Sequence, residues 1–235
     1  MKKIFWAADS TVQNNDVVTY PQTGIGQVFS MYVKEGVFVF NHAKNGRSTK
    51  SFMDEGRLAA IDKEIGEGDF LFIQFGHNDE KKEDPTRYTE PYSTYMENLE
   101  IFIHVARKHG AYPVLITPIE RRHFDENKKL MESMHTDYVA AMKKTAEKNE
   151  VPLIDLFTMS RAALEKTGEE ESRKWHMFFD AGIYENYPEG KQDNTHLRYD
   201  GALLYAGLVA KGLIALGGIY KELIVDGAEK YIWSK

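Results

Sequence analysis

Ile4-Phe5-Trp6-Ala7-Ala8-Asp9-Ser10-Thr11-Val12 decides how the rest of the chain is read. The apolar run Ile4–Ala8 starts almost at the N-terminus and stops abruptly at Asp9-Ser10-Thr11. Ile, Phe and Trp favour extended backbone, and an unbroken apolar run suits a central strand covered on both faces. Asp, Ser and Thr are turn and helix-cap residues. The stretch therefore predicts a core strand that delivers a serine to its carboxyl end, the edge at which open α/β sheets bind ligands. A serine there is ordinarily a turn or cap residue. What lies downstream decides whether Ser10 is more.

Four further apolar runs read as strands: Val37–Phe40, Asp69–Phe75, Pro113–Thr117 and Val151–Asp155. Pro152 cannot donate to a ladder, which places the last run at a sheet edge. Helical spacing predicts helices over 51–65, 92–109, 130–148, 156–166, 170–179 and 199–216, with a Gly-, Asn- and Pro-rich loop at 182–195. Strands alternating with helices predict an α/β fold, a five-stranded parallel sheet covered on both faces, in a single domain over 1–235. The tail from Gly217 is ambiguous, and Tyr231 and Trp233 are its candidates for packing back.

Composition removes several function classes. The 235 residues carry a net charge of −6, which argues against nucleic acid or an anionic membrane as partner. There is no cysteine, hence no disulfide, no thiolate chemistry and no Cys-ligated metal. The N-terminal apolar run is too short for a signal-peptide core, and no stretch is expected to reach the roughly 18 residues of a membrane span. A soluble, cytoplasmic protein is the expectation, with its oligomeric state open. Gly24-Ile25-Gly26 fails as a dinucleotide fingerprint, and no Walker motif, His-Glu-x-x-His or Gly-x-Ser-x-Gly elbow occurs. His42 and His77 lack carboxylates at ligand spacing, so neither metal nor cofactor is expected.

The predicted strand ends carry what acyl transfer needs. The first gives Ser10, the second leads to Asn45-Gly46, and the third leads to Gly76-His77-Asn78-Asp79. The loop before the last helix gives Asp193-Asn194-Thr195-His196. A serine hydroxyl needs a base, for which His196 is the candidate, and the base needs a carboxylate to fix its tautomer, for which Asp193 is the candidate. Residues three apart on a helical turn share a side, so Asp-x-x-His is read as such a turn. The Asn78 amide and the backbone N–H groups of Gly46 and Ser10 would form an oxyanion hole. Singly, Asn-Gly is a turn, Asn78 and Asp79 are caps, and Asp-x-x-His is a chance pattern. The set in this order is far harder to obtain by chance.

Ala8-Asp9-Ser10-Thr11-Val12, Asn45-Gly46-Arg47-Ser48, Gln74-Phe75-Gly76-His77-Asn78-Asp79, Thr117-Pro118-Ile119-Glu120-Arg121-Arg122 and Asp193-Asn194-Thr195-His196 together resemble the SGNH (GDSL-type) hydrolase superfamily, and within it the rhamnogalacturonan acetylesterase family. The resemblance implies a flavodoxin-like three-layer α/β/α fold and metal-free release of acetate from acetylated pectic oligosaccharides. It also implies Ser10 as nucleophile, Gly46 and Asn78 in the oxyanion hole, and Asp193 with His196 completing a triad. The chain departs from the pattern at Ala8, where the family usually has glycine. Arg121 and Arg122 follow a strand end and are candidates for binding a galacturonate carboxylate, against structural pairing with Asp125 or Glu126. Tyr88, Tyr184 and Tyr187 are the better-placed candidates for sugar stacking. The alternatives are a lipid esterase or thioesterase, which the charged loops oppose, and a carbohydrate-binding relative weakened at position 8.

Overall fold

A computed structural model describes residues 1–230 and 232. Five parallel strands form the central sheet: β1 (Lys2–Ala8), β2 (Val37–Asn41), β3 (Phe70–Gln74), β4 (Tyr112–Ile116) and β5 (Leu153–Ile154), in the order β2-β1-β3-β4-β5. The period of two along β1 divides its side chains between two cores. Ile4, Trp6 and Ala8 face one layer, and Phe5 and Ala7 face the other. The first layer holds α1 (Ile25–Val28), α6 (Leu156–Thr167) and α8 (Tyr199–Leu216); the second holds α2 (Thr49–Asp54), α3 (Arg57–Glu64), α4 (Met96–Lys108) and α5 (Thr136–Lys148). The five-stranded α/β architecture expected from the apolar runs is the one observed.

Register is what positions the site. Ala8 pairs with Gln74, and Trp6 pairs with Asn41. The chain therefore leaves β1, β2 and β3 at nearly one level, and the segments bearing Ser10, Gly46 and Asn78 emerge along one edge.

Several expected boundaries shift, each for a local reason. The helix expected over 51–65 is divided into α2 and α3 at Gly56, whose φ of +73° no continuing helix can use. The helix expected from Leu130 begins only at Thr136, because Leu130 bridges back to Phe124. The helix expected over 170–179 stops early: α7 (Glu169–Ser172) and a 3-10 turn (Arg173–Trp175) give way to β6 (His176–Phe179). β6 pairs antiparallel with β7 (Lys191–Leu197), a segment expected to be mostly loop. By length and composition α8 could cross a bilayer, contrary to the expectation that no stretch would. It is instead the long helix of the first layer, with Tyr205, Leu208, Val209 and Leu213 buried against the sheet side. After α9 (Gly218–Lys221), Leu223, Ile224, Ala228 and Ile232 are buried, while the expectation for Tyr231 and Trp233 falls outside the described residues.

Candidate active site

Where β1 ends, Asp9 turns inward and is buried, accepting hydrogen bonds from the Thr11 backbone N–H at 2.9 Å and its hydroxyl at 2.8 Å. This closes a tight turn and leaves Ser10 at the rim of a cavity. The methyl of Ala8, where glycine was expected from the family pattern, lies in the apolar layer with Trp6 and Val12 and does not line that cavity. Among the described residues, neither the Ser10 nor the Gly46 backbone N–H donates to a protein acceptor. Gly46 has φ +78°, a conformation that favours glycine.

Asn78 is aimed rather than loose. Its Nδ2 donates one hydrogen to the Arg47 carbonyl at 3.1 Å, and its Oδ1 accepts from Arg87 Nη1 at 3.5 Å, so one amide hydrogen remains unspent. Next to it, Asp79 is fully buried and accepts from the Thr49 N–H at 3.0 Å and the Thr89 hydroxyl at 3.0 Å. Thr49 opens α2, three residues after Gly46, so this carboxyl ties the Gly46 loop to the Asn78 loop. Burial raises Asp79 to about 7, against the lowering effect of the threonine hydrogen bonds, and nearby Asp9 adds to the rise.

Asp193 and His196 meet, though not on a helical turn. Between the pairs His176↔Leu197 and Phe178↔Gln192, a single residue of β6 faces the four residues Asp193–His196 of β7. This large bulge folds Asp193 back on itself. Its Oδ1 accepts the backbone N–H of Thr195 at 2.9 Å and of His196 at 3.0 Å, while Oδ2 lies 2.7 Å from His196 Nδ1. Burial alone would raise Asp193, but the His196 side chain and these backbone donors outweigh it and hold the carboxyl well below the usual carboxylate range. An ionised Asp193 fixes the proton on Nδ1 and leaves Nε2 as the basic nitrogen.

All five expected residues line one cavity of about 440 Å³: Ser10, Gly46, Asn78, Asp193 and His196. The two arginines part company. Arg121 lines the cavity, held by Glu80 at 2.8 Å and by His135 Nε2 at 3.3 Å, with Nη1 unspent among the described residues. Arg122 is buried, donating to Ser172, to Asn194 Oδ1 at 2.9 Å and to the Glu169 carbonyl, and so braces the β7 bulge instead of the cavity. Neither arginine is held by Asp125 or Glu126. His77, at the strand end expected to reach the site, also lines the cavity, and so do Lys81, Arg87 and Lys191, which no motif marked. His77 is buried against the edge of His135; burial, with the charges of His135 and Arg121, pushes it well below the ordinary histidine range, so it stays neutral. Tyr88 donates to Glu90 and does not line the cavity, whereas Tyr184 borders a neighbouring groove. Among the described residues no group of three or more His, Asp or Glu side chains could hold a metal.

A profile of the GDSL-like lipase/acylhydrolase family matches residues 8–206. The chain is 45% identical to the rhamnogalacturonan acetylesterase RhgT of Bacillus subtilis, over 96% of this chain and 97% of RhgT. It is 43% identical to the probable rhamnogalacturonan acetylesterase YesY of the same organism, over 94% of this chain and 97% of YesY. The crystal structure of Bacillus subtilis YxiM superposes with a TM-score of 0.76 at 27% identity, covering 92% of this chain and 57% of that one. The acetylxylan esterase Axe2 of Geobacillus stearothermophilus shares the fold, with a TM-score of 0.61 at 14% identity over 89% of this chain and 93% of its own. A bulged hairpin carrying Asp193 and His196, set against strand ends carrying Ser10, Gly46 and Asn78, thus occurs in a chain that belongs to the GDSL-like lipase/acylhydrolase family and, within it, to the rhamnogalacturonan acetylesterase family.

Proposed function

We propose that this protein is a serine esterase that removes acetyl groups from carbohydrate, with acetylated rhamnogalacturonan as its substrate class. The observation that carries the reading is the cavity itself, which gathers Ser10, the His196–Asp193 pair at 2.7 Å and three unspent N–H donors. Ser10 Oγ attacks the acetyl carbonyl carbon while its proton passes to His196 Nε2. The carbonyl oxygen, now negative, is received by the N–H groups of Ser10, Gly46 and Asn78. Collapse breaks the ester C–O bond, His196 returns the proton to the departing sugar hydroxyl, and the acetyl group stays on Ser10. Water, deprotonated by His196, then releases acetate and regenerates the serine.

The lining argues for a small acyl group on a polar substrate. Among the described residues no Val, Leu, Ile, Met, Phe, Tyr or Trp lines the cavity, so a long acyl chain would gain little by entering it. Among the described residues four cations (Lys81, Arg87, Arg121 and Lys191) line it in a chain of net charge −6, with Asp193 the one acid. Arg87 and Arg121 are partly neutralised by Asp84 and Glu80, while Lys81 and Lys191 form no ion pair among the described residues. That charge pattern suits a sugar chain bearing carboxylates, as galacturonate does. RhgT, named for acetyl release from rhamnogalacturonan, adds support through its near full-length similarity.

The test is acetate release from acetylated rhamnogalacturonan oligosaccharides, with acetylated xylan for comparison and Ser10→Ala as control. Release from the pectic substrate, lost in the variant, is the expected outcome. Equal release from both polymers would remove the pectic assignment. Preference for octanoyl over acetyl 4-nitrophenyl esters would remove the carbohydrate one.

A further inference from the structure

Beside the catalytic cavity runs a second, larger groove of about 870 Å³, walled by the segment after Val12, by α1 and by the first residues of α8. Gln22 lines both spaces, so they are neighbours. Three buried side-chain amide atoms on residues of these two spaces have no partner among the described residues: Asn45 Oδ1 beside the catalytic cavity, Gln22 Nε2 on the residue shared by both, and Asn15 Oδ1 beside the groove. Half-buried amides with donor and acceptor capacity to spare suit a ligand rich in hydroxyls. Beyond Gln22 the groove offers rings. Tyr20 is 59% exposed and stands edge-on to Tyr184 at 5.7 Å, and Tyr199 is 49% exposed.

These rings are held in place. Tyr184 packs on Phe179 at 4.7 Å, and Asn186 Nδ2 donates to the carbonyls of Val17 at 2.8 Å and Tyr20 at 2.9 Å. The wall of the groove is thereby fastened to the hairpin that carries Asp193 and His196. The charge differs from that of the catalytic cavity. Its lining carries two cations, Lys174 and Arg198, and two acids, Asp16 and Asp200, so the groove suits neutral sugars offering an apolar ring face, whereas the cavity suits an anionic one.

We infer that this groove is an extended carbohydrate-binding subsite, which holds the sugars next to the acetylated one by stacking on Tyr20 and Tyr199 and by hydrogen bonds to Gln22 and Asn15. The inference rests on the carbohydrate esterase reading and adds that the enzyme measures chain length. Acetylation then acts as a local mark on a longer polymer segment, which is bound as a segment.

The experiment compares kcat/KM on long acetylated oligosaccharides with kcat/KM on acetylated disaccharides, as a ratio within each variant. Wild type is expected to favour the long substrates, and Tyr199→Ala and Gln22→Ala each to reduce that ratio by about tenfold, through KM. Tyr92→Ala removes an exposed tyrosine that lines neither space and is expected to keep the wild-type ratio. Taking ratios cancels any general loss of folded enzyme. Absence of a chain-length preference in wild type, or its survival in both groove variants, overturns the subsite and leaves the esterase reading standing. Wild-type enzyme that hydrolyses 4-nitrophenyl acetate but releases no acetate from any oligosaccharide refutes the carbohydrate reading, and the subsite with it.

Discussion

Replacing Asp193 by asparagine separates what the carboxylate does for the fold from what it does for the proposed reaction. The substitution keeps the shape. An asparagine Oδ1 can still accept the Thr195 and His196 backbone N–H groups, now at 2.9 and 3.0 Å, so the β7 bulge is preserved. Only the 2.7 Å contact with His196 Nδ1 changes character, since an amide NH2 now faces that nitrogen. Two N–H groups cannot point at each other, so the imidazole shifts its proton to Nε2, the nitrogen that must accept from Ser10. For a triad this wrong tautomer costs on the order of ten-thousandfold in kcat, or about 5 kcal/mol of transition-state stabilisation. The assay is kcat for 4-nitrophenyl acetate and for an acetylated oligosaccharide, with thermal unfolding run in parallel. A folded Asp193→Asn enzyme within tenfold of wild-type kcat would refute tautomer control by Asp193.

Asn78→Ala removes one of the three donors and is expected to lower kcat by about a hundred- to a thousandfold with little change in KM; a purely higher KM would make Asn78 a substrate-binding residue instead. Asp79 is raised to about 7 in the fold against an unfolded value of 3.8, so the folded state binds the extra proton and the cost of ionising this buried group grows as pH rises from about 4 to about 7. Denaturant unfolding across that window is therefore expected to show a smaller loss of stability with rising pH in Asp79→Asn than in wild type, and identical slopes would refute the assignment. Asp193 has the opposite sign: its folded value is depressed, so its stabilisation is full above about pH 4 and fades as the pH falls further. Asp193→Asn should lack that acid-side loss, and unfolding scans below pH 4 measure it.

The parallel sheet was legible because its strands are almost wholly apolar, and buried strands leave little room for other readings. Ile4–Ala8 and Phe70–Ile73 say so in every residue. The hairpin was not legible. Within Lys191–Leu197 only Leu197 is buried, so no alternation marks β7, and its conformation comes from pairing with β6 across the chain. The charged run Glu169–Lys174 carried the helical reading on into His176–Phe179, where pairing overrides local propensity. Asp-x-x-His was legible as a contact and misread in geometry, because strand and helix can both bring i and i+3 together once a bulge intervenes. The Arg121 and Arg122 roles were hidden for another reason: their partners Glu80, Ser172 and Asn194 lie 41, 50 and 72 residues away.

The two-stranded hairpin stands apart from the central sheet, and this has a thermal consequence. Its few ladder bonds and half-exposed strand place it among the parts of a protein that open at lower free energy than the core. Ser10, by contrast, follows a strand of the central sheet that is buried from Ile4 to Ala8. Warming is therefore expected to part base from nucleophile by loosening this hairpin, against the hold of Arg122, before the sheet unfolds, so that activity is lost ahead of the fold.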